Sequence, residues 1–294
     1  MNDASPSYRL LPGAPESPVL LHVPHSSRVI PAAVRDAIVL DDVALERELD
    51  HITDAYTDRI AERAAGRSAV RPWRFVNQLS RLVIDPERFP DEREEMLAVG
   101  MGAVYTRTTH GEVLRPAGDD GRPLGGQSLV DRYFHPYAAA MTHAVTHLLE
   151  TVGRAVVIDV HSYPTEPLPY ELHGEGPRPP VCLGSDRFHT SADLLAAAEA
   201  AFAGFGGIGV NSPFGGAYVP LKYYGHDPRV TALMIEIRRD VYMTEPGGSA
   251  GQGVDPLADA LGRLVDVVTT ASRHRAHLAD PDGADLSFLR PLQW

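Results

Sequence analysis

The run Ala155-Val156-Val157-Ile158-Asp159-Val160 constrains the fold more than any other stretch, because it is almost wholly apolar and begins where a helical pattern stops. Upstream, residues 127–151 repeat Ala138, Met141, Ala144, Val145, Leu148 and Leu149 at three- and four-residue spacing, so a helix leads into a buried strand. The same alternation recurs along the chain. Residues 18–23 read as a buried strand, and 41–65 as one helix with Val43, Leu49, Ile52, Tyr56 and Ile60 on its apolar side and Asp41 or Asp42 at its start. Residues 69–75 and 79–84 read as short strands, 181–183 and 208–210 as two more, and 192–205 as a helix between them. A strand over 232–237 and a closing helix from about 256 to 272 complete the pattern. Strands alternating with helices predict an α/β fold of three layers, with a mixed but largely parallel sheet between helices.

One domain of 294 residues is expected, with its core over about 18–272. Residues 90–126 are rich in Gly, Pro, Asp and Arg and read as a surface excursion, and the tail after Arg273 as an extension. The net charge of −12 comes without a basic block, which argues against a nucleic-acid partner. Cys182 is the only cysteine, so neither an internal disulfide nor a cysteine-rich metal site can form, and a metal would need His, Asp or Glu. No run is long and apolar enough for a membrane span, and the first residues lack a signal-peptide pattern. A cytoplasmic protein is the expectation.

The polar residues concentrate where apolar strands end. His25-Ser26-Ser27 follows the first strand, His161-Ser162 the fourth, and Glu236-Ile237-Arg238-Arg239 the last. In open parallel sheets ligands bind beyond the carboxyl ends of the strands, so these three ends can converge on one site. Two histidines and a carboxylate suffice for a zinc shell with one position open. His22 alternates away from His25 and reads as a structural neighbour. On the helix, Asp50 and Asp54 lie four residues apart and share a face; His51 points elsewhere. A serine hydrolase using Ser26 or Ser162 is the competing reading, although no G-x-S-x-G elbow occurs. No glycine pattern supports nucleotide binding.

Six motifs in register resemble the N-formylglutamate amidohydrolase family: Val23-Pro24-His25-Ser26-Ser27, Asp50-x-x-x-Asp54, the segment from Ser80-Arg81 to Asp85-Pro86-Glu87-Arg88, Ile158-Asp159-Val160-His161-Ser162, Asn211-x-Pro-Phe-Gly-Gly216 and Ile235-Glu236-Ile237-Arg238-Arg239. The resemblance implies a phosphorylase/hydrolase-like fold similar to zinc carboxypeptidases and aspartoacylase-like enzymes. It also implies zinc-dependent hydrolysis of an N-acyl amide on an acidic amino acid such as N-formyl-L-glutamate, a reaction of histidine degradation. Carried over by position, His25, Asp50 and His161 are the expected ligands of Zn2+ or another divalent metal, with His22 and His51 as alternatives to Asp50. Glu236 is the expected catalytic base and Arg81 the oxyanion cation. Arg88, Arg238 and Asn211 are expected to bind the small-molecule N-acyl amino acid, and Asp54 to orient a ligand imidazole. Two departures stand out. Arg28 occupies the third position after His25, where carboxypeptidases have a ligand glutamate, and Asp85-Pro86-Glu87-Arg88 stands where the family more often has Asp-Leu-Asn-Arg. A non-catalytic binder of N-acyl amino acids is the remaining alternative.

Overall fold

Seven strands form one sheet in the order β1-β3-β2-β4-β7-β5-β6, in a computed structural model that describes residues 7–118, 122–172 and 174–279. The strands are β1 (Tyr8–Leu11), β2 (Val19–Val23), β3 (Trp73–Asn77), β4 (Ala155–Tyr163), β5 (Val181–Gly184), β6 (Ile208–Val210) and β7 (Val230–Arg238). Pairing is parallel for β3-β2, β2-β4, β4-β7 and β5-β6, and antiparallel for β1-β3 and β5-β7. The helices are α1 (Ala32–Arg35), α2 (Asp42–Ile52), α3 (Thr57–Arg67), α4 (Gly126–Leu129), α5 (His135–Val152), α6 (Ala192–Phe202) and α7 (Val254–Ala279).

Strand alternation divides the core into the three expected layers. Val19, Leu21, Val156, Ile158, Leu233 and Ile235 face one side, where they pack with Ile60 and Ala64 of α3, Leu194 and Phe202 of α6, and Leu257 and Leu261 of α7. Leu20, Val157 and Ala232 face the other side, against Tyr137, Met141, Val145 and Leu148 of α5. The central strands β2 and β4 are buried along their whole length, which explains their near-continuous apolar sequence.

Three readings of the sequence need correction. The helix expected over 41–65 is two helices: Thr53 leaves helical geometry, Tyr56 takes φ 67°, and α3 begins afresh at Thr57. Residues 79–84 are not a strand. Their backbone turns, with the Val83 N–H donating to Ser80 O at 2.8 Å, while Leu79, Val83 and Ile84 bury themselves against Tyr133 and Phe134. Apolar spacing there reports burial rather than a ladder. The strand expected at 69–75 starts only at Trp73, and β1, which the sequence did not suggest, pairs with it at the sheet edge.

The excursion over 90–126 is packed rather than loose. A short 3-10 turn at Glu95–Val99 brings Met96 with Met101, Tyr105 and Leu114 onto Leu45, Leu49 and Ile52 of α2. The closing helix continues past 272 to Ala279, so part of the expected tail is helical; residues 280–294 lie outside the described residues.

Ile60 is fully buried between α3 and the sheet. Ile60→Ala is expected to cost about 2–5 kcal/mol through the cavity left behind, measured as a shift of the denaturant midpoint at unchanged slope.

Candidate active site

Adjacent parallel strands bring the polar strand ends together. In the ladder β4 pairs with β7 so that His161 lies opposite Glu236, and β2 lies on the other flank of β4, just before His25. The break between α2 and α3 then delivers Asp54 to the same place, because its N–H donates to His25 O at 3.0 Å. Asp54 Oδ2 lies 3.2 Å from His161 Nδ1 and 3.6 Å from His25 Nδ1, and the two Nδ1 atoms are 3.3 Å apart.

Those three atoms form a triangle with the dimensions of a metal site. A tetrahedral ion bonded at about 2.0–2.1 Å sets its ligand atoms about 3.3–3.4 Å apart. His25, Asp54 and His161 are all buried, and two imidazole nitrogens with a carboxylate oxygen are a donor set suited to zinc. The residues therefore fit a divalent cation.

Electrostatics agree with the geometry. Burial opposes ionisation of Asp54, but hydrogen bonds with His161 and His25 outweigh it and hold the carboxyl below the usual carboxylate range. Burial likewise opposes charge on His161, yet Glu87 and Asp54 beside it raise its pKa well above normal. The carboxylates around the two imidazoles make the position electronegative, and a cation bound there displaces the imidazole proton. The second oxygen of Asp54 is fixed by Arg239 Nη2 at 3.2 Å and by the Ser162 hydroxyl at 3.3 Å, which leaves Oδ2 for the imidazoles.

Glu236 lies beside this triangle. Its Oε2 is buried and makes no hydrogen bond, and burial pushes its pKa up to about 7, a rise to which Asp54 adds and which His161 and Arg81 counter. A cavity of about 740 Å³ opens onto His161 and Glu236 and is lined also by Arg81, Glu87, Arg88 and Lys222. Its size suits a small-molecule ligand. Arg81 donates from Nη2 to Asp85 at 2.6 Å and from Nε to the Tyr105 hydroxyl at 2.9 Å. Asp85 in turn accepts from His25 Nε2 at 2.9 Å.

Several residues singled out in the sequence are placed elsewhere. Asp50 does not join His25 and His161: its carboxylate pairs with Arg28 at 2.7 Å and is partly exposed. The four-residue spacing to Asp54 misleads because the helix ends between the two residues, so they share no face. Arg238 turns to Asp240 at 2.7 Å, and Asn211 bonds Ser185 through both ends of its amide at 2.7 Å; neither lines the cavity. His51 lies against His110, with ring centres 4.9 Å apart and the ring planes tilted by 60°. His22 lies between Asp159 at 2.7 Å and the Tyr137 hydroxyl at 2.6 Å, which occupies both ring nitrogens. Arg239 and Glu87 stand in motifs that the sequence singles out, but nothing in the sequence gives either of them a role at the site.

Comparisons with known proteins agree with this architecture. A sequence profile of the N-formylglutamate amidohydrolase family matches residues 17–243. An N-formylglutamate amidohydrolase from Ralstonia eutropha JMP134 superposes with a TM-score of 0.73 at 24% identity, over 92% of this chain and 99% of that one. A gene product from Agrobacterium tumefaciens has a TM-score of 0.60 at 16% identity, covering 93% and 97%. At these identities the two structures establish the fold. No curated protein matches the chain.

His22→Ala would leave the buried Asp159 carboxylate and Tyr137 hydroxyl without their shared partner. The expected cost is at least about 1–3 kcal/mol per unsatisfied group, read from equilibrium unfolding.

Proposed function

The chain belongs to the N-formylglutamate amidohydrolase family, and from that premise we propose that it hydrolyses the amide of an N-formyl amino acid, with N-formyl-L-glutamate as the first candidate, using a divalent cation held by His25, Asp54 and His161. The single observation that carries this reading is the triangle of donor atoms, 3.2–3.6 Å apart, beside a buried glutamate with an unbonded oxygen. When bound at those donors, a divalent ion, zinc first among them, supplies Lewis acidity to the amide carbonyl and to water.

The chain's own residues account for the remaining steps. Glu236 Oε2 accepts the proton of the attacking water and returns it to the departing amine, so that a C–O bond forms as the C–N bond breaks, giving formate and glutamate. Arg81 is held at the cavity wall by Asp85 and Tyr105, where its guanidinium stabilises negative charge developing on the carbonyl oxygen. N-formylglutamate is a dianion, and Arg88 and Lys222, the only lysine in the chain, line the cavity and offer cations to its carboxylates. Asp54 takes the ligand role that the resemblance implies for Asp50.

The serine hydrolase reading has less support. The Ser162 hydroxyl donates to Asp54 and accepts from Arg239 Nε at 3.1 Å, and among the described residues no hydrogen bond joins Ser26 or Ser162 to a histidine. A nucleophilic serine needs such a base.

Purified protein is expected to carry about one zinc per chain by mass spectrometry, to release formate from N-formyl-L-glutamate, and to lose that activity in a strong chelator. Asp54→Ala is expected to abolish both metal and turnover, and Asp50→Ala to retain both. Full activity after exhaustive chelation, or loss of metal with Asp50→Ala alone, contradicts the assignment. Glu236→Gln is expected to keep the metal while kcat falls by about 10²–10⁴-fold; unchanged kcat removes Glu236 as the base, and binding without turnover in the parent protein identifies a non-catalytic binder.

A further inference from the structure

The turn over residues 85–87 places one carboxylate on the outer side of each of the two imidazoles. Asp85 Oδ1 accepts from His25 Nε2 at 2.9 Å, and it also accepts the Glu87 N–H at 3.2 Å. That second bond pins the turn, so the position of Glu87 is set by the same atom that holds His25. Arg81 and the Tyr105 hydroxyl anchor Asp85 from its other oxygen, at 2.6 and 2.5 Å.

Glu87 Oε2 lies 3.2 Å from His161 Nε2. That nitrogen is buried and has no hydrogen-bond partner among the described residues, and Glu87 Oε2 is a carboxylate oxygen within reach of it. Glu87 also comes within 3.5 Å of His22 Nδ1 and 3.8 Å of His25 Nε2, but His22 Nδ1 already has Asp159 at 2.7 Å and His25 Nε2 has Asp85. The imidazole that lacks an outer partner is that of His161.

Chemistry makes the outer partner consequential. An imidazole can turn the Nδ1 lone pair to a cation only when its proton sits on Nε2, and a proton buried on Nε2 needs an acceptor. We propose that Glu87 is a positioning residue: it accepts the Nε2–H of His161 and thereby fixes the tautomer and ring orientation that present Nδ1 to a cation between His25 and Asp54. Asp85 performs the same service for His25. The inference rests on the proposed cation site; an amide oxygen at this position can accept the same bond, without the charge that strengthens it.

The test uses the full chain freed of metal by dialysis against a chelator. Zn2+ affinity is measured by competition with a chromophoric chelator, Co2+ binding by the visible spectrum, and the melting temperature of the metal-free protein as the control. Glu87→Ala is expected to weaken Zn2+ binding by about 10–100-fold and to alter the Co2+ spectrum, Glu87→Gln to lose less, and both metal-free variants to melt with the parent. Parental affinity in Glu87→Ala overturns the inference, as does a fall in affinity that only follows collapse of the metal-free melting temperature. If the parent protein binds neither ion, the cation site itself is refuted and this role falls with it; parental binding with unaffected variants refutes the role alone.

Discussion

The Asp54 carboxylate is divided between two sets of partners, and the arrangement of the site follows from that division. Oδ1 is taken by Arg239 and Ser162, and Oδ2 faces the Nδ1 atoms of His25 and His161. Arg239 is itself buried, with its Nη1 donating to His51 O at 2.6 Å. The guanidinium therefore ties the end of α2, the Asp54 loop and β7's exit into one unit. A buried carboxylate without such a partner would carry a large desolvation cost; with it, the charge is retained and aimed.

The sheet supplies the remaining precision. Parallel pairing of β2, β4 and β7 puts three carboxyl ends side by side, and alternation directs His161 and Glu236 toward the α5 side, where the cavity opens. Rigid strands are a better support for such a constellation than loops, because the ladder fixes the spacing of His161 and Glu236 through backbone bonds. The face opposite is filled by α3, α6 and α7 and the α5 side is apolar along the strand bodies, so the polar groups are confined to the strand ends.

This division also explains how much could be read from the sequence. His25, His161 and Glu236 were legible because each closes an apolar run, and the rule that ligands gather at the carboxyl ends of parallel strands turns that pattern into a place. Asp54 was visible but its position was mistaken. A helical stripe continues through 41–65 in the apolar residues, yet Thr53 to Tyr56 leave the helix, and no proline or glycine marks the interruption. Tertiary contact with His25, invisible in one dimension, decides it. Arg238 turns from the cavity for a simpler reason: Asp240, two residues on, holds its guanidinium at 2.7 Å. The residues 79–84 were apolar because they are covered by Tyr133 and Phe134, and burial alone cannot distinguish a strand from a turn.

In the proposed enzyme one divalent cation is held by His25, Asp54 and His161 together. A crystal structure of protein purified without chelator, with anomalous data collected on both sides of the zinc absorption edge, would locate that ion. One anomalous peak is expected within about 2.0–2.2 Å of His25 Nδ1, Asp54 Oδ2 and His161 Nδ1, with Asp50 still paired to Arg28. A metal-replete protein with no peak there, or a peak ligated by Asp50 or by His22 instead, would contradict that arrangement.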